Sequence, residues 1–172
     1  RAVKALAGQH QEAIWALHQT VSRLRSVLLE FYPQALQAFP NLKHHAATAV
    51  LAAVATPAAA EKLTRTRVAT LLRRSGRGDQ PVLAERILTE LKVSALRQPP
   101  RVEEAYGHTV RGLVGAVVAM RTAVDELEKG LACEFDQHPQ SDLLRSVPGL
   151  GPVLAARILA EIGDDPARFD NP

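Results

Sequence analysis

The apolar positions near the start of the chain keep a regular beat. Ile14, Leu17, Val21, Leu24, Leu28 and Phe31 are separated by steps of 3, 4, 3, 4 and 3, the stripe of a helix that packs lengthwise against another helix. From Ala2 to Tyr32 there is no proline and one glycine, Gly8, so the pattern predicts one helix of about 45 Å at 1.5 Å per residue. Pro33 closes it, because proline disfavours helical backbone in the residue before it. The beat returns between Val102 and Phe135, where Val110, Leu113, Val117, Met120, Val124, Leu127 and Leu131 step by 3, 4, 3, 4, 3 and 4. Two such seams suit one another, or the seam of a second copy, and the second seam is the candidate oligomer surface. A core-facing helix of an ordinary bundle explains the steps almost as well. Gly107, Gly112 and Gly115 lie inside this second helix and each costs about 1 kcal/mol relative to Ala. They mark either a close approach by a neighbour or a kink.

Between the seams the pattern breaks into short helices. Asn41 is placed to cap a helix running to about Ala55, whose small and apolar residues from Ala46 onward predict burial. Thr56-Pro57 pairs an N-cap with a proline at the first helical position. That stretch breaks near Leu63-Thr64 and resumes through Val68, Leu71 and Leu72. Ser75-Gly76-Arg77-Gly78-Asp79 reads as a loop, and a further helix is predicted from Val82 to about Leu96, ahead of Pro99-Pro100. His138-Pro139 ends the second long helix. The chain therefore reads as all-α: two long heptad-patterned helices with short helices between them, then a helix-hairpin-helix-like motif. The organisation predicted is a helical connector over residues 1–138 and a new unit beginning at 139–172.

Composition agrees with this. Aromatic residues are 4% of the 172 residues and hydrophobic residues 47%, the usage of a helix-rich globular chain. One cysteine, Cys133, excludes an internal disulfide framework and any multi-cysteine zinc site. No apolar run reaches the roughly 18–20 residues that a membrane span needs, and no signal-peptide pattern opens the chain. The chain starts at Arg1 and ends at Pro172, and is expected to be a piece of a longer protein. Charge is unevenly spread. Residues 1–100 carry 14 Lys/Arg against 6 Asp/Glu, and residues 101–172 carry 7 against 12. A basic first half suits a polyanion partner; two solvated faces that neutralise each other are the plainer explanation.

The sharpest local signal is Leu144-Arg145-Ser146-Val147-Pro148-Gly149-Leu150-Gly151-Pro152-Val153-Leu154-Ala155-Ala156-Arg157-Ile158-Leu159. It fits the helix-hairpin-helix pattern. Leu143, Leu144 and Val147 would form one face of a short helix. Gly149 and Gly151 would permit unusual backbone angles and leave no side chain between loop and ligand, and Pro152 suits the first turn of the next helix. Free amides there, at the positive end of a helix dipole, would favour a phosphate. The candidate nucleic-acid contacts are thus Gly149, Leu150, Gly151 and Val153, with Arg157 as a second point of contact, and they would recognise backbone without reading sequence. A tight turn without a ligand is the plainer alternative.

Affinity would need other basic surfaces, and Arg65, Arg67, Arg73, Arg74 and Arg77 concentrate five guanidinium groups in thirteen residues. Solvated helix faces explain them equally well. Other candidates fall away. His44 and His45 are adjacent and diverge by about 100° on a helix, His10 and His18 lack a partner at i+4, and Trp15 beside Ile14 reads as packing. Asp164-Asp165-Pro166 reads as a cap or turn. No hydrolase triad spacing, zinc-protease motif or phosphate loop is present, so no catalytic residue and no metal ligand is predicted.

Residues 143–169, "LLRSVPGLGPVLAARILAEIGDDPARF", resemble the start of the C-terminal transposase domain in the insertion-sequence family numbered one hundred and ten (with one hundred and sixteen). "AVKALAGQHQEAIWALHQTVSRLRSVLLEFYPQAL" and "FDQHPQSDLLRSVPGLG" resemble the middle of its actinobacterial members. The likeness covers essentially the whole chain. It implies a parent with an N-terminal acidic DEDD set binding Mg2+, a coiled-coil connector, and a C-terminal domain with a catalytic serine. It implies DNA transposition by strand exchange, guided in studied members by a structured RNA, in a bacterial cytoplasm, by homo-oligomers that are not membrane-bound. Carried over residue by residue, the acidic set would precede Arg1 and the serine would follow Pro172. Neither Ser141 nor Ser146 occupies the nucleophile's place, so no cofactor is expected in this segment. Two alternatives stay open: a non-catalytic helix-hairpin-helix DNA-binding module, and a purely structural helical oligomerisation segment.

Overall fold

The computed structural model describes residues 1–76, 78 and 80–163. Among these, all regular structure is helical: α1 (Ala2–Phe31), α2 (Gln34–Ala38), α3 (His45–Ala53), α4 (Pro57–Glu61), α5 (Arg65–Arg74), α6 (Pro81–Leu91), α7 (Pro100–Asp136), α8 (Ser141–Arg145) and α9 (Pro152–Ile162). The chain forms two compact units, one made of Arg1–Ala16 with Thr122–Pro172 and the other of Leu17–Arg121. The long helices α1 and α7 each contribute to both.

In the Leu17–Arg121 unit, Leu17, Leu24, Leu28 and Phe31 of α1 are buried, together with Val110, Val114 and Val117 of α7. Phe31 stacks on Tyr106 at 4.8 Å between ring centroids, and the Tyr106 hydroxyl donates to Glu30. Thr20 donates to Met120 Sδ at 3.2 Å. The end of α1 thus meets the start of α7, and the two run antiparallel there. Among the short helices, α6 packs on α2, α4 and α5, and α3 packs on α5.

The N-caps explain where the short helices begin. Thr56 Oγ1 accepts from the Ala59 amide and Thr64 Oγ1 from the Arg67 amide, so α4 and α5 start where side-chain oxygens satisfy free amides. Asn41 does not cap α3. Its Oδ1 accepts from the Lys43 amide in a local turn, while His44 Nδ1 accepts from the Ala46 amide at 3.2 Å and starts the helix. Gly76 and Gly78 take positive φ after α5, as a loop there requires. The helix predicted to reach Leu96 ends at Leu91. Beyond it, Gln34 donates to the Val93 carbonyl and Arg97 is held by acids on two other elements, so distant partners hold this non-helical segment.

Those acids anchor the start of α7. Glu103 is buried, and its Oε1 accepts from the Ala58 amide in the first turn of α4 at 2.8 Å. Arg97 donates to both carboxylate oxygens of Glu103 through Nε and Nη2 and pairs with Glu61 as well. The hydrogen bond to Glu103 raises the Arg97 pKa further above its ordinary value. Nearby Tyr32 is fully buried, with no hydrogen-bond partner for its hydroxyl among the described residues. Burial first, and the Glu103 charge second, push that hydroxyl well above the usual tyrosine range.

In the other unit, Val3 and Ala7 of α1 cluster with Leu131 and Phe135 of α7 and with Ala155, Ala156, Leu159 and Ala160 of α9. Small residues on α9 permit this close packing. No described helix is long and apolar enough to cross a membrane.

Candidate nucleic-acid interface

The turn between α8 and α9 has the form its glycines predict, although the two glycines do different things. Gly149 takes φ +84°, a left-handed conformation that favours glycine. Gly151 has φ −70° and ψ 163° as the N-cap residue of α9, backbone that any residue adopts, so the expectation of unusual angles holds at Gly149 alone. A Cβ at Gly151 would meet nothing within 4 Å. Pro152 occupies the first position of α9, and the Ala155 amide bonds back to the Gly151 carbonyl at 2.9 Å.

Side chains around the turn divide by face. Leu144, Leu150 and Val153 pack, half-buried, against the Val3–Phe135–Ala155 cluster. Leu143 is 68% exposed and Val147 45% exposed. They do not share a buried face with Leu144, because α8 is one short turn presenting a single side to the core. Arg145 pairs with Asp136 and lies over the Phe135 ring. Arg157 lines a cleft with Lys4, Gln11, Glu12, Trp15 and Glu161, and none of Gly149, Leu150 or Gly151 lines that cleft. Trp15 is 60% exposed and is not the packing residue its neighbour Ile14 suggested. His10 is buried, with neither ring nitrogen hydrogen-bonded.

The α5 arginines do not form one patch. At 100° per residue, Arg67 and Arg74 share one flank of the buried Val68–Leu71–Leu72 stripe, Arg65 takes the other flank, and Arg73 points away. Arg65 pairs with Glu85 at 3.5 Å. Arg67, Arg73 and Arg74 are exposed, and no carboxylate pairs with them among the described residues. Arg77 lies outside the described residues, as does Asp164-Asp165-Pro166.

Of the second seam, Val110, Val117 and Leu131 are fully buried within this one chain, whereas Leu113, Met120, Val124 and Leu127 are half-buried. Of the four glycines within α7, a Cβ at Gly107 would stand 2.5 Å from Thr56 Cγ2 and one at Gly130 would touch Leu6 Cδ2 at 4.0 Å, while Gly112 and Gly115 face open space.

Two arginines that sequence reasoning passed over complete the basic surface. Arg111 and Arg121 of α7 line an open cleft of about 410 Å³ with Arg74 at the end of α5 and His45 at the start of α3. Arg121 is braced by donating to the Lys43 carbonyl at 2.7 Å. Arg111, Gly115 and Val118 repeat at helical spacing outside the seam, a signal present in the sequence. That Arg74 joins them follows only from the packing of α3 and α5.

The stretch that holds the Pro-Gly-Leu-Gly turn is also the one that matches a known family. Residues 141–172 match the family model described as Transposase IS116/IS110/IS902 family. The chain is 40% identical over 98% of its length to the IS117 mini-circle transposase candidate of Streptomyces coelicolor, covering 42% of that protein. It is 30% identical over 94% of its length to an uncharacterised 43.6 kDa protein of insertion element IS110 from the same organism, covering 40% of it. An uncharacterised 44.8 kDa protein of IS116 from Streptomyces clavuligerus is 24% identical over 84% of the chain. The chain is thus similar to proteins of the IS117, IS110 and IS116 insertion elements, and it spans less than half the length of these curated relatives. No solved structure matches it.

Proposed function

We propose that this chain is the part of an insertion-sequence transposase that holds nucleic acid while DNA is transposed. The observation that carries the reading is the set of exposed arginines on α5, Arg67, Arg73 and Arg74, without acidic partners among the described residues. Charge left unneutralised on a folded surface attracts phosphate backbone. The Gly149–Gly151 turn supports it as a second, backbone-only contact at the amino end of α9. In this reading residues 139–172 open the transposase domain, a structured guide RNA is a partner beside DNA, and strand exchange takes place in the bacterial cytoplasm. Subunits associate through the half-buried seam positions Leu113, Met120, Val124 and Leu127, whose neighbours Val110, Val117 and Leu131 stay inside the chain. Magnesium belongs to the acidic set implied for the parent. Among the described residues no group of three His, Cys, Asp or Glu is placed to hold a metal, and no step is routed through one.

The test is a salt titration of binding by the 172-residue chain to a short DNA duplex and to an RNA hairpin. Affinity should fall steeply between about 50 and 200 mM salt, and the Arg67→Ala/Arg73→Ala pair should flatten the slope. Gly151→Val leaves the backbone of the turn permissible and should weaken binding if phosphate approaches there. The competing reading, a structural segment, draws on the burial of the seam and the Arg65–Glu85 pair. It predicts no binding at any salt, and that result would reject the proposal.

A further inference from the structure

We infer that the cleft between α3, α5 and α7 is a binding site for the phosphodiester backbone of a nucleic-acid strand, with Arg74, Arg111 and Arg121 as its cationic rim. The inference rests on the nucleic-acid reading above and deepens it by naming a site that shares Arg74 with α5 but excludes Arg67, Arg73 and the Pro-Gly-Leu-Gly turn. Three guanidinium groups and His45 border one opening of about 410 Å³, and among the described residues no Asp or Glu lines it. Like charges set around one concavity repel one another, and an anion relieves that repulsion. Arg121 is already fixed by its bond to the Lys43 carbonyl, which leaves further donors of its planar fork for a phosphate oxygen.

The dimensions favour a strand over a single small anion. Arg111 and Arg121 lie ten residues apart on one helix, about 15 Å along its axis. A nucleic-acid strand carries one charge per about 3.4 Å of axis, so this length faces more than one phosphate. The floor between the arginines is made of small and apolar residues, among them Ala52, Gly115 and Val118. Among the described residues no Phe, Tyr or Trp lines the cleft and His45 supplies its one ring, so recognition here is chiefly of backbone and sugar rather than sequence.

Gly115 provides the decisive variant. Its Cβ position is empty, with nothing within 4 Å, so the protein's own packing does not need glycine there. Gly115→Leu would project a side chain into the cleft while exchanging glycine for a better helix former. Gly112 is also open on the same helix but does not line the cleft, which makes Gly112→Leu the control. With the 172-residue chain, a short DNA duplex and an RNA hairpin as probes, Gly115→Leu should weaken binding about tenfold, the equivalent of one lost charge-assisted hydrogen bond. Gly112→Leu should leave it unchanged, and both should melt no lower than the parent chain. Arg111→Ala and Arg121→Ala should each reduce the slope of log affinity against log salt by about 1. Loss on both probes assigns the shared phosphate chemistry, and loss on one assigns the cleft to that strand. Equal affinity of Gly115→Leu and Gly112→Leu on both probes, in a chain that still binds, overturns the cleft and leaves the broader reading standing. A parent chain that binds neither probe overturns both.

Discussion

Gly107 offers a test of how tightly α7 is seated against α4. In an open helical position, replacing glycine with alanine adds about 1 kcal/mol of stability through helix propensity. At Gly107 the new Cβ would lie 2.5 Å from Thr56 Cγ2. The threonine cannot simply turn away, because its Oγ1 accepts from the Ala59 amide as the N-cap of α4, and a β-branched side chain has few rotamers to choose from. Overpacking of this kind costs about 1–3 kcal/mol, so Gly107→Ala should be destabilising by up to about 2 kcal/mol net of the propensity gain. Gly112→Ala, five residues on and facing open space, should be stabilising by up to about 1 kcal/mol. The informative variant is Thr56→Ser combined with Gly107→Ala. Serine keeps the capping oxygen and removes the methyl, so the double variant should recover most of what Gly107→Ala loses. Urea denaturation followed by circular dichroism would measure all three against the parent chain, with midpoints compared at constant m value. If Gly107→Ala is as stable as Gly112→Ala, or if Thr56→Ser gives no recovery, the close approach of α7 to α4 is wrong.

Three further outcomes follow from the same unit and from the α8–α9 turn. Glu103→Ala removes the acceptor of the Ala58 amide and the main partner of Arg97. Because Arg97 is partly solvated, the loss should be about 2–3 kcal/mol rather than the full range for buried pairs; Glu103→Gln, which keeps an acceptor for Ala58, should lose less in the same urea assay. The buried Tyr32 hydroxyl has no partner among the described residues, so Tyr32→Phe should be neutral or stabilising by about 1 kcal/mol. It should also change the alkaline limb of stability. Below the ordinary tyrosine value of 10.0 folded and unfolded chains both keep the proton. Above it the unfolded chain ionises first and stability falls as pH rises, so thermal melts of Tyr32→Phe should lose less than those of the parent chain. Gly149→Ala forces a side chain into positive φ and should cost about 1–2 kcal/mol, whereas Gly151→Ala should cost little. Equal costs in chemical denaturation would contradict the turn geometry.

Much of this protein was legible in the order of its residues. The apolar steps of 3 and 4 determined α1 and α7, proline at 33 and at 139 bounded them, and Thr56 and Thr64 announced α4 and α5, because helix periodicity and amide capping act within one or two turns. The turn at Gly149 and the family likeness were equally local. Where sequence reasoning missed, a distant partner decided the outcome. Asn41 had a nearer amide to bond than the first turn of α3. The helix expected to reach Leu96 stops at Leu91, and the chain after it is held by Gln34, Glu61 and Glu103. Trp15 sits beside Ile14 on α1, yet it stays largely exposed.

The candidate site divides in the same way. Arginines at 65, 67, 73 and 74 were visible as a cluster, but only three-dimensional packing pairs Arg65 with Glu85 and sets Arg74 beside Arg111 and Arg121. The sequence alone thus determined which segments are helical and which face of each is apolar, since both depend on neighbours a few residues away. Tertiary structure alone decided which charges are neutralised, which glycine is a contact and which an opening, and where a basic cleft forms. Those outcomes depend on side chains brought together from helices tens of residues apart in the chain.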